Sequence, residues 1–139
     1  MTHAERAAAT ERTLERFRGR PLDWRSAHCI KMARMQANAL GHNVPPVPIL
    51  NGPVGARKAL AKQGAGSVIE LLDKYLTRHP APAYAIVGDL CALESPDGLD
   101  AICIADGMGH LFGWHEATNY EKLETVSMAQ GAVKVAWAL

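Results

Sequence analysis

Apolar residues recur at helical spacing through the first half of the chain and alternate from Tyr84 onward. Residues 3 to 18 predict a helix with Ala7, Leu14 and Phe17 on one side and charges elsewhere, stopped by Gly19 and Pro21. After a short connector, residues 27 to 40 predict a second helix. Ser26 is its expected N-cap, Ile30, Ala33, Ala37 and Leu40 its inward face, and Gly41 its end. The next stretch, "GHNVPPVPILNGPVG", holds four prolines and three glycines and predicts an ordered loop over residues 41 to 55. Val44, Val47, Ile49 and Leu50 are too apolar to be left in water. They predict that the loop is held by another subunit or by packing against the sheet. Two shorter helices follow. One covers residues 55 to 63; the other covers residues 67 to 78, capped by Ser67, with Val68, Leu71, Leu72 and Tyr75 facing in.

"YAIVGDLCAL", "LDAICIA", "HLFGW" and "GAVKVAWAL" predict four strands, with hairpin signals at Asp97–Gly98 and Asp106–Gly107 and a turn at "TNYEK". Helices first and an antiparallel sheet last predict an α+β fold, with the helices packed on the sheet. A chain of 139 residues suits a single domain. It divides into an N-terminal helix (1–20), a helical part with the Pro-rich loop (21–83) and a sheet (84–139).

Composition narrows the function. The formal net charge is +1, and no basic stripe with interleaved aromatics is visible, so nucleic acid is not an implied partner. Arg6, Arg12, Arg16, Arg18 and Arg20 alternate with Glu5, Glu11 and Glu15 and read as a solvated helix face. No apolar run approaches the ~20 residues of a membrane helix. The polar start "MTHAERAAATERT" does not read as a secretion signal, so the expected place of synthesis is the cytosol. Three cysteines form no disulfide framework by count. Cys91 and Cys103 lie in apolar strands and read as packing residues. His110, His115 and Glu116 carry metal-capable groups, but no second cluster completes a site, and no cofactor or metal is expected. "DGMGHLFG" has no following helix and is no phosphate loop.

Cys29 is the candidate for chemistry. It lies in the first turn of the second helix, where free N–H groups and the helix dipole favour a thiolate. A nucleophile there also needs a general base and a group to orient it. The other reading is a core thiol on the inner face of the helix. His28 adjoins Cys29, but successive helical side chains diverge by about 100°. His42 and His79 fall in loops and read as solvated. His110, on the third predicted strand, is the remaining candidate base.

"RPLDWRSAHCIKMARMQANALG", "GARKALAKQG", "YAIVGDLCAL" and "AVKVAWAL" together resemble a family of small proteins encoded among the tail genes of tailed phages and prophages. That family is in turn similar to the NlpC-type, papain-like cell-wall cysteine peptidases. The resemblance implies a reduced papain-like fold with Cys29 at the nucleophile position and Gly88–Asp89 opening the central sheet. It also shows two departures. His28 stands where the peptidases carry Asp, and their catalytic His position falls on Leu99 or Asp100. In the peptidases the strand bearing His110 supplies the orienting group instead.

Two readings follow. The first is a virion component, a tail or tail-tip structural protein on a degenerate scaffold, assembled in the bacterial host cytoplasm with other tail proteins as partners. The alternative is a cysteine hydrolase cutting peptidoglycan peptides, with Cys29 as nucleophile and His110 as base. A cytosolic binding module with no phage link is a third.

Overall fold

In the computed structural model of the protein, the described residues are 1–96, 98–114, 124–127 (backbone only) and 133–139. Four helices precede the main sheet: α1 (His3–Phe17), α2 (Cys29–Ala39), α3 (Pro53–Lys62) and α4 (Val68–Asp73). Six strands, β1 (Thr77–Arg78), β2 (Leu90–Leu93), β3 (Ala101–Ala105), β4 (His110–Gly113), β5 (Glu124–Ser127) and β6 (Val135–Ala138), form one sheet in the order β1-β6-β2-β3-β4-β5. Every pairing is antiparallel. The fold is α+β, with N-terminal helices on a C-terminal antiparallel sheet.

Period-two alternation sorts the strand side chains between the two faces. Leu90, Ala92, Ile102, Ile104 and Trp137 join Leu14, Phe17, Ile30, Met32 and Ala33 in the main core. Cys91, Leu93, Cys103, Leu111 and Ala136 make a second buried cluster. Burial of each Leu or Ile contributes about 1.5–3 kcal/mol, so α1 and α2 are held by their apolar faces more than by propensity. Cys91 and Cys103 are packing residues; burial pushes the Cys91 thiol up to about 12, and the Cys103 thiol is raised as well.

Several expectations need correction. Ala7 is exposed, and Arg6 is buried in its place. The guanidinium of Arg6 donates to Asp89 Oδ1 at 2.7 Å, to the Val87 carbonyl at 3.1 Å and to the Leu139 carbonyl. His79 is likewise no plain solvated residue, since its Nε2 lies 2.7 Å from Asp89 Oδ2. The helix expected over 67–78 ends at Asp73, and Thr77–Arg78 pair with β6 instead. Tyr75 is consequently exposed. Tyr84 sits in a 3-10 turn (Pro82–Tyr84), and the strand expected from there begins at Leu90. Strand β5 has no counterpart among the expected four. Asp97, the "TNYEK" turn and the start of "GAVKVAWAL" lie outside the described residues.

The Pro-rich loop is ordered by its own packing, but against helices rather than the sheet. Val44 and Leu50 are buried with Ile30, Ala56 and Leu60. Asn38 clamps the Val44 backbone, its Oδ1 accepting from Val44 N at 2.8 Å, while Arg34 Nε donates to the Val44 carbonyl at 3.0 Å. The loop ends at Gly52, because Pro53 is already the first helical residue of α3, where its missing N–H costs nothing.

Candidate functional site

The first turn of α2 is built from the connector before it. Asp23 and Ala27 pair as an isolated bridge, their backbones bonded in both directions at 2.8 Å. Ser26 is absorbed by this turn: its hydroxyl donates to Asp23 Oδ2 at 3.2 Å and accepts from Arg20 at 2.9 Å. It therefore cannot cap the helix as expected. His28 does so instead, its Nδ1 accepting from Lys31 N at 3.2 Å.

That bond fixes the chemistry of His28. An accepting Nδ1 leaves the proton on Nε2 of a neutral ring. The ring is buried and stacks on Trp24 with centroids 6.0 Å apart. Burial first, and the Lys31 charge second, lower its pKa to about 4, with Asp23 opposing. A ring so occupied is a cap and a wall, not a proton acceptor for its neighbour.

Cys29 is the first residue of α2 and is half-buried. It faces a cleft of about 450 Å³, counted to its open mouth, whose walls include Trp24, Ser95, Leu99, Asp100 and Trp114. Each wall is fixed from elsewhere. Trp114 packs edge-on against Phe17 at 5.8 Å and donates to the Arg20 carbonyl at 2.8 Å. The Leu99 carbonyl accepts from Val68 N, tying the mouth of the cleft to α4. Asp100 is buried, sits at φ 73° and lies 3.1 Å from Lys134 Nζ. Asp tolerates this left-handed conformation better than most residues, and backbone outliers of this kind concentrate at clefts and binding sites.

His110 is not brought to Cys29. Leu111 lies opposite Ala105, so His110 starts β4 beside the end of β3, where its Nδ1 lies 3.1 Å from Asp106 Oδ2. The cleft lies at the other end of β3, next to Ala101, roughly 13 Å away at the strand rise. Leu99 and Asp100, just before β3, both line the cleft. His115 lies outside the described residues. Among the described residues, no group of three or more His, Cys, Asp or Glu side chains could hold a metal ion.

Gly88 and Asp89 form the sheet's anchor rather than a wall of the cleft. Asp89 accepts from Arg6, from Ile86 N at 2.9 Å and from Leu139 N at 3.0 Å, beside its contact with His79. Gly88, at φ 91°, leaves no room for a side chain, since a Cβ would lie 2.7 Å from Thr10 Oγ1.

A family model matches residues 1–139. The chain belongs to the DUF6950 family, described as a domain of unknown function. No curated protein and no solved structure matches it. Trp114 and Ser95 were missing from the sequence-based site of this DUF6950 chain, because neither has a motif that sets it apart from a core aromatic or a turn serine. Trp24, the last residue of the "PLDW" connector, carried the better signal: it stands five residues before Cys29 and reaches the same cleft. No described helix is long and apolar enough to cross a membrane.

Proposed function

We propose that this protein is a phage or prophage tail component on a reduced, papain-like scaffold whose cleft binds without cutting. The observation carrying this reading is the start of β3. Leu99 and Asp100 stand there, at the wall of the Cys29 cleft, where the peptidases it resembles carry their catalytic His. Leu99 cannot take a proton. Asp100 is engaged with Lys134, and carboxylates as a class are far weaker bases than imidazole. The order of short patterns shared with tail-gene proteins supports the tail assignment, and other tail proteins are its partners.

The second reading, a cysteine hydrolase cutting peptidoglycan peptides, is favoured by one specific observation. Cys29 opens an 11-residue helix and faces an open cleft walled by Trp24 and Trp114. Its base would then come from somewhere other than the start of β3.

Purified protein incubated with peptidoglycan separates the two. Under the first reading no stem-peptide fragments are released, and Cys29→Ser leaves incorporation into tails unchanged. Release of fragments that is lost in Cys29→Ala establishes the second, and His110→Ala then tests whether that residue is its base. Alkylation by iodoacetamide at pH 6 to 7 gives the reactivity of the Cys29 thiol directly, read against a small-molecule thiol.

A further inference from the structure

The charges of this near-neutral chain are segregated. From Arg25 to Ile69 there are six cations, Arg25, Lys31, Arg34, Arg57, Lys58 and Lys62, and no carboxylate. The remainder holds nine cations against fourteen carboxylates, taken from totals of 15 and 14. The cationic stretch is the lobe formed by α2, the Pro-rich loop and α3.

That lobe carries a groove. Its floor is made by the nearly buried Val44, Leu50 and Leu60, its accessible apolar rim by Val47, Pro48 and Tyr75, and its volume is about 500 Å³ counted out to its open mouth. Arg34, Pro46, Val47 and Pro48 line this groove and also a second, polar cleft beside it. The second cleft adds Arg25, Lys31 and His28. Among the described residues, no carboxylate lines either one. Ile49, between the prolines and Leu50, is 73% exposed at the rim. The surface is pre-formed: the prolines stiffen the loop, and Arg34 and Asn38 fix Val44.

We propose that the groove along α2, the Pro-rich loop and α3 docks an acidic peptide segment of a partner protein. Its apolar side chains rest on Val47, Pro48, Ile49 and Tyr75, and its carboxylates meet Arg25, Lys31 and Arg34. Charge complementarity selects this occupant. Arg25, Lys31 and Arg34 line the polar cleft, Arg34 also lines the apolar groove, no described carboxylate lines either one, and such a pattern steers and orients an oppositely charged partner. Nucleic acid fits worse, because the groove between the cations is lined by aliphatic and proline side chains and offers no aromatic platform for bases beyond Tyr75. The groove is not the Cys29 cleft, so its occupancy is independent of whether that cleft cuts peptides.

The test is fluorescence anisotropy with three short labelled peptides of equal length, one of Leu and Glu, one of Ser and Glu, and one of Leu and Lys. The Leu–Glu peptide alone should bind, and about tenfold higher salt should weaken it. Arg25→Glu combined with Lys31→Glu should weaken binding by about tenfold or more. Val47→Asp should abolish it. Both residues with reversed charge line the polar cleft beside the groove, so far-ultraviolet circular dichroism should be unchanged in that pair. Four outcomes would overturn the proposal: equal binding of the Ser–Glu peptide, binding of the Leu–Lys peptide, displacement by single-stranded DNA, or salt-sensitive self-association through the same residues.

Discussion

Replacing Asp89 by Asn should be among the most damaging isosteric changes in this protein. The carboxylate is 1% exposed and takes four donors: Arg6 Nη2 and Leu139 N on Oδ1, and His79 Nε2 and Ile86 N on Oδ2. Asn offers one acceptor oxygen and turns an NH2 group toward the donors on the other side. It also strands the buried Arg6 charge, whose side chain is 10% exposed. Breaking a buried pair in this way costs about 3–5 kcal/mol, because one ion is left without its counter-charge. Against a total stability of roughly 5–15 kcal/mol, that loss is about a fifth or more of the fold. For a domain of this size it corresponds to a fall in Tm of roughly 10–20 °C. Urea denaturation followed by circular dichroism measures it as a drop in midpoint at unchanged slope. Arg6→Met should cost a similar amount alone, and much less once Asp89 is already Asn, since the two act as one unit. A loss below about 1 kcal/mol for Asp89→Asn, or full additivity of the two substitutions, would refute the view that this pair ties α1 to the sheet.

Two further outcomes are expected. Because the pKa of His28 is lowered from 6.5 to about 4, the unfolded chain takes up this proton first. Its contribution is intact above pH ~6.5 and is lost as pH falls toward 4, by on the order of 3 kcal/mol; His28→Asn keeps a capping acceptor and should flatten that part of the pH–stability profile. Gly88→Ala places a Cβ 2.7 Å from Thr10 Oγ1 and 3.1 Å from Gln36 Nε2 at φ 91°, so thermal unfolding should show a loss of at least about 1–3 kcal/mol from backbone strain alone.

Long periodic segments were legible because burial alone decides them. The α2 face of Ile30, Ala33 and Ala37 and the runs "LCAL" and "AICIA" fell where the pattern put them. Short elements were not. Thr77–Arg78 is exposed, two residues long, and exists because β6 returns to pair with it, a long-range event with no local signature. Arg6 shows the same limit from the other side. Its neighbours Glu5 and Glu11 make it read as one more surface charge, and only Asp89, 83 residues away, makes its burial tolerable. The site was legible as far as Cys29 in the first turn of a helix. The cap was misassigned because Ser26 and His28 are both capable acceptors, and the competing turn at Asp23 decides between them.

The first turn of α2 is a wall shared by two surfaces. Ile30 lines both the Cys29 cleft and the apolar groove, and His28 lines both the Cys29 cleft and the cationic one. Neither residue can move independently, since Ile30 is in the main core and the His28 ring is held by Lys31 N and by Trp24. A segment docked in the groove therefore presses on the same turn that sets the position of Cys29. If docking shifts that turn, whatever Cys29 binds must alter affinity for the docked segment by the same factor, because coupling between two sites is reciprocal. If docking leaves the turn fixed, the two surfaces are independent, and α2 acts as a rigid partition. The close packing around His28 and Ile30 favours the partition, since a tightly packed wall resists continuous deformation. A chain that docks a segment on one side of α2 while presenting Cys29 on the other gains from that rigidity, whichever chemistry the cleft performs.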